Sequence, residues 1–181
     1  MGYAVNPQNA QQDMSAVAVV WDLKHAASYL NWWNRRPQRA LALIEQLHDW
    51  QPKPDVTPEQ ETTLRSMIHM VTADSYLALK RFAEAADWYR RASEYSQVTG
   101  FAIIYADLVL TQKFREHYEP AYAAAAVTRS AWLDRPLTQR IYLRIVSPWW
   151  LDLKHWRLTL NEGRIIQQLK ERIDAETTRS S

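Results

Sequence analysis

The sequence predicts an all-α protein, an array of seven to nine antiparallel helices joined mostly by short turns. Three observations predict it. Only 3 of the 181 residues are glycine, too few for a sheet with tight hairpins, whose turns use glycine to reach positive φ at low cost. Strong helix formers (Ala, Leu, Gln, Glu and Arg) are abundant instead. Apolar residues recur at three- and four-residue spacing, and no segment alternates as a half-buried strand does.

The elements follow in order. Residues 1–12 are polar and carry Pro, Gln and Asn, a flexible tail. Asp13 stands where it caps a first helix running to about Asn34, with Val20, Leu23, Ala27 and Leu30 at helical spacing. Pro37 suits the first turn of a second helix, with Ala40, Leu41, Ile44 and Leu47 on one face. The segment WQPKPDVTP at 50–58, with three prolines in nine residues, is the clearest break. Thr57-Pro58-Glu59-Gln60 then opens a helix with capping-box spacing, running to about Leu79. Further helices are expected at about Ala83–Ser96, at 101–115, from Pro120, from Pro136 and, rich in Trp, from Ser147-Pro148. Gly163 separates the last of these from an amphipathic stretch carrying Ile166, Leu169 and Ile173. This makes one domain over 13–175, between flexible ends at 1–12 and 176–181.

The spacing of Ala73, Tyr76, Phe82, Ala85, Tyr89 and Ala92 in ADSYLALKRFAEAADWYRRASEYS (73–96) resembles the tetratricopeptide repeat (TPR) signature. Small residues let two helices approach closely, and aromatic rings fill the gaps beside them. Lys80 departs from the pattern, since the family often has Gly in that turn; His69 and Thr72 replace larger apolar residues. Residues 20–49 form a weaker copy whose turn is one residue longer, and 101–131 a poorer third.

The resemblance implies a solenoid of stacked helix pairs whose first helices line a concave groove that binds a peptide or partner protein. Carried over residue by residue, that groove is Met67, Met70, Asp74, Leu77 and Ala78 from the better copy and Trp21, Lys24, Ser28, Asn31 and Trp32 from the weaker one. Met70 and Asp74 stand where the family's carboxylate clamp wants cationic or amide groups, so a receptor for chaperone tails is not implied. Basic residues gather at the two turns, Arg35, Arg36 and Arg39 with Lys80 and Arg81, an edge for RNA or an acidic ligand. Trp149, Trp150, Leu153 and Trp156 make a helix apolar beyond one stripe, covered either by the last helix or by a second copy of the chain in a homodimer.

Other classes find little support. A net charge of +2 is too small to point to nucleic acid. With no Cys there is no disulfide, thiolate nucleophile or Cys-ligated metal. The longest apolar runs, 16–21 and 121–127, are too short to insert across a membrane. The N-terminal segment lacks the pattern of a secretory signal, and a cytoplasmic location is expected. The five His are scattered, and zinc-binding, phosphate-binding and serine-nucleophile motifs are all missing, so neither catalysis nor a cofactor or metal is expected. The tetrapeptide Asp-Leu-Lys-His occurs at 22–25 and 152–155, but the neighbouring Trp pair follows the first and precedes the second, so it marks no duplicated site. The reading is a non-catalytic interaction module: an adaptor, assembly subunit or chaperone.

Overall fold

The computed structural model describes residues 17–95, 101–140 and 160–180. Among them all regular structure is helical, with no strand. The α-helices are α1 (Val17–Trp32), α2 (Pro37–Ile44), α3 (Pro58–Ala78), α4 (Phe82–Tyr95), α5 (Phe101–Gln112), α6 (Tyr118–Leu133) and α7 (Glu162–Ser180). Two 3₁₀ turns, Glu45–Leu47 and Arg115–His117, extend α2 and precede α6. Helix also begins at 137–140, just after Pro136.

Local chemistry sets most of these boundaries. At the start of α3 the Gln60 N–H donates to Thr57 Oγ1 at 3.2 Å, and the Thr57 N–H donates to Gln60 Oε1 at 2.9 Å, a complete capping box. Glu59 and Glu61 in the first turn favour the positive end of the helix dipole. At the other end Lys80 takes φ of 61°. Its N–H bonds to Leu77 O at 3.0 Å, and that of Arg81 to Tyr76 O at 2.9 Å, which is the Schellman closure. Lys113, at φ 59°, repeats this arrangement after α5, through Lys113 to Leu110 and Phe114 to Val109. After α1 the left-handed residue is Arg35, and the Arg36 N–H reaches back to Leu30 O at 2.8 Å, one residue further than at the other two turns.

Three boundaries differ from the sequence reading. The helix begun at 101 ends at Gln112 and not at 115, because Lys113 turns left-handed. The Ala-rich helix starts at Tyr118, two residues before Pro120, which sits in the first turn where a missing N–H costs nothing. Helix α7 continues past 175 to Ser180, with the Thr177 and Thr178 hydroxyls donating to the carbonyls of Ile173 and Asp174.

The chain divides into two compact units between Trp88 and Tyr89, inside α4. In the first unit α1, α2 and α3 pack against one another. Val20, Ala27, Ile44, Leu47, Ile68 and Val71 form the centre of its core, and each is almost wholly buried. Val17 and Trp21 from the start of α1 share one cleft with Glu59, Gln60, Thr63 and Leu64 from the start of α3. The two neighbouring helices therefore run parallel, and their C-terminal turns, at Arg35 and Lys80, lie at the same end of the unit. Trp50, from the proline-rich connection, is buried with the Arg65 guanidinium 5.4 Å from its ring centre.

In the second unit α5, α6 and α7 pack against one another. Five consecutive residues of α5, Ala102–Ala106, are buried, as befits a helix that is apolar all round. Ala121 and Ala125 keep α6 close to its neighbours, and Ile165 and Leu169 are the buried positions of α7. The buried Tyr105 hydroxyl meets His117 Nδ1 at 2.7 Å.

Candidate interaction surface

The groove residues expected on α1 occupy one face of that helix, at 21, 24, 28 and 31. Trp21 is exposed, Lys24 and Ser28 are half-buried, and Asn31 is buried. Asn31 Oδ1 has no hydrogen-bond partner among the described residues, an arrangement that costs free energy unless something else supplies a donor. Lys24 Nζ lies 5.0 Å from the centre of the Trp21 ring. Burial lowers the lysine's pKa from its ordinary value of 10.5. Trp32, the remaining groove residue on α1, closes that helix.

On α3 the expected groove residues divide. Met67, Met70 and Leu77 are half-buried, and Met70 packs on the core. Asp74 is buried, and Ala78 is exposed. The structure thus brings two parallel helices side by side, with the polar part of the expected groove on α1 and an apolar part on α3. Between their N-terminal ends lies an open cleft of about 320 Å³.

A second row on α1 went unread in the sequence. Trp21, His25 and Tyr29 follow one another at four-residue spacing along the helix, and Trp33, in the turn just after α1 with its N–H bonded to Tyr29 O at 3.0 Å, continues the row as one ridge. All four are exposed: Trp21 by 39%, Tyr29 by 58% and Trp33 by 70%, with His25 also open. Large rings left in water mark contact surfaces. The N-terminal half of the ridge is held in place. His25 Nδ1–H donates to Trp21 O at 2.8 Å, and the two rings meet edge to face at 5.1 Å. The small exposed residues Ala18 and Ala26 lie beside the row. The four-residue spacing is the available signal, hidden in the sequence because the repeat register places Trp21 on the neighbouring stripe.

The basic residues separate by what they touch. Arg81 is engaged: its guanidinium lies 4.6 Å from the Tyr76 ring centre and 2.7 Å from Glu84 Oε1. The hydrogen bond to Glu84 raises its pKa. Arg35, Arg36, Arg39 and Lys80 are exposed and form no ion pair among the described residues. Arg36 is the N-cap residue of α2 with no side-chain capping bond, Arg39 lies in its first turn, and no acid stands there. Cations at a helix N-terminus oppose the dipole, so this placement works against local stability.

A third cluster joins three helices and has no counterpart in the sequence reading. The His48 ring stacks on Trp88 at 4.4 Å, and His69 tilts against the same indole at 5.1 Å. His48 Nε2 lies 3.0 Å from Thr72 Oγ1, whose own proton goes to Ile68 O at 2.8 Å. Thr72 is therefore the acceptor and His48 carries its proton on Nε2. The cluster stitches the end of α2 to α3 and α4.

The Trp-rich stripe of Trp149, Trp150, Leu153 and Trp156 lies outside the described residues, as does the tail 1–12. Among the described residues no group of three or more His, Asp or Glu is placed to hold a metal ion, and no helix is long and apolar enough to cross a membrane. Comparison with protein-family models, with curated proteins and with solved structures finds no match for this chain.

Proposed function

We propose that the chain is a non-catalytic, TPR-like protein-interaction module that takes a segment of a partner protein along the face shared by α1 and α3. The observation that carries this reading is Asn31, whose buried side-chain oxygen has no donor among the described residues. A backbone N–H of a bound segment would supply one once the Asn31 side chain, closed to solvent in this structure, turns outward on binding. Lys24 and Ser28, half-buried on the same face, extend the polar line, and Met67 and Leu77 of α3 offer adaptable apolar contact. Support for stacked helix pairs comes from the parallel course of α1 and α3 and from the left-handed residues Arg35, Lys80 and Lys113, each in the connection between one helix and the next. An adaptor, assembly subunit or chaperone uses such a face alike.

The test is capture of partners from the native host by the intact chain and by an Asn31→Leu variant, compared by mass spectrometry. A partner held by the native chain and lost by a folded variant supports the groove. Equal capture by both chains refutes it. Binding of RNA or another polyanion through the basic end is the competing outcome, and it is distinguished by a steep loss of affinity with salt.

A further inference from the structure

The exposed ridge shares Trp21 with the edge of the expected groove, but His25, Tyr29 and Trp33 turn away from Lys24, Ser28 and Asn31, and the ridge is nearly symmetric about its own midpoint. Its end residues are both Trp, 21 and 33, and its middle residues are His25 and Tyr29. Rotating a second copy by a two-fold axis through that midpoint sets Trp21 of one copy against Trp33 of the other, and His25 against Tyr29. A self-complementary patch of this kind is what an isologous dimer interface requires.

The charges around the ridge obey the same symmetry. At the N-terminal end of α1 and α3 stand Asp22, Asp55 and Glu59, exposed acids without an ion pair among the described residues. At the C-terminal end stand the unpaired cations Arg35, Arg36, Arg39 and Lys80. Elsewhere in the first unit, Arg65 and Arg81 are neutralised locally by Glu61 and Glu84. The unpaired acids thus outweigh Lys24 at one end of the ridge, and the unpaired cations outweigh Glu45, near Arg81, at the other. Antiparallel pairing brings each acidic end against a basic end, twice per dimer. Parallel pairing would set like charges together.

We propose that the ridge is a homodimer interface, in which two copies of the chain pair their α1 helices antiparallel. The ridge of one copy lies beside the row Ala18, Asp22 and Ala26 of the other, where the two alanines leave room for its rings and Asp22 faces the basic end of the second copy. The cations at the start of α2, which work against that helix, then face carboxylates of the second copy. From Trp21 to Trp33 the ridge spans twelve residues, about 18 Å. That is a short interface, so a dissociation constant on the order of micromolar is expected.

Sedimentation velocity on the full chain, from about 1 to about 200 µM, tests this. The expected result is a concentration-dependent shift from the monomer mass of 21.2 kDa to twice that value. Tyr29→Ala with Trp33→Ala should weaken pairing at least about tenfold while leaving the helical circular dichroism unchanged, since both side chains are exposed. Two charge variants complete the test. Arg35→Glu with Arg36→Glu, and Asp22→Lys with Glu59→Lys, should each pair poorly alone and restore a dimer when mixed. A chain that stays monomeric throughout overturns the proposal. So does a dimer that survives loss of the two rings, or charge variants that fail to rescue one another.

Discussion

His48, Thr72 and Trp88 show how single side chains tie the first unit together. The Thr72 hydroxyl passes its own proton to Ile68 O and accepts that of His48 Nε2, all within a site closed to water on the threonine side. Valine has nearly the same shape but no acceptor. Thr72→Val should therefore cost about 1–2 kcal/mol, read as a lower urea midpoint. In a background where His48 is already Phe, the same change should cost much less. Equal costs in both backgrounds would mean that the histidine bond contributes nothing. Lys24 makes a different residue-scale case. Burial lowers its pKa, so the folded state carries a penalty while the amine is charged in both states, as it is at neutral pH. In the window between the lowered folded value and the unfolded value of 10.5, the unfolded chain binds more protons and stability rises with pH. Lys24→Met should thus raise the urea midpoint most at neutral pH, with a gain that shrinks as the pH approaches 10.5. A gain independent of pH would show that the charge is irrelevant. A stabilised variant that no longer captures a partner would identify Lys24 as kept for binding.

At the scale of elements, what the sequence disclosed is what short-range chemistry decides. The Thr57–Gln60 capping box, Pro37 at the first turn of α2 and the break at 50–58 were legible because each depends on a few adjacent residues. The same holds for the position of the turn at Lys80, but its conformation was not legible. A lysine at φ 61° violates the usual preference for glycine, and nothing in its neighbours announces that. A left-handed conformation costs a residue with a Cβ roughly 1–2 kcal/mol. Lys80→Gly and Lys113→Gly should each therefore stabilise the chain, by about 0.5–1 kcal/mol once glycine's larger unfolded-state entropy is subtracted. Thermal unfolding checks this, with Lys80→Val as the control expected to move the midpoint downward. A glycine variant less stable than the native chain would mean that the lysine side chain contributes more than its backbone strain removes. The aromatic ridge of α1 was hidden for another reason. Its four-residue spacing is present in the sequence, but a repeat template places Trp21 and Trp32 by register and leaves Tyr29 and Trp33 unassigned. Exposure decides such cases, and exposure depends on how α1 rolls against α2 and α3.

At the scale of the whole molecule, the helical class was legible from composition and periodicity, whereas the meeting of His48, His69 and Trp88 was not. Those residues come from the turn that follows α2 and its 3₁₀ extension, from α3 and from α4, and no spacing relates them. The division between Trp88 and Tyr89 was equally invisible, because it falls inside a continuous helix. Each unit nevertheless has its own set of mutually packed helices and its own buried centre. That arrangement predicts separate local stabilities. Leu169 is fully buried among the helices of the second unit, so Leu169→Ala leaves a cavity worth about 3–5 kcal/mol. Native-state hydrogen exchange should then show a loss of protection of that size in the amides of α5, α6 and α7. The amides of α1, α2 and α3 should keep most of theirs. Ile44→Ala, in the core of the first unit, should produce the reverse pattern. If either substitution lowered protection equally in both units, the chain would unfold as one cooperative body, and the two cores would have to be treated as a single one.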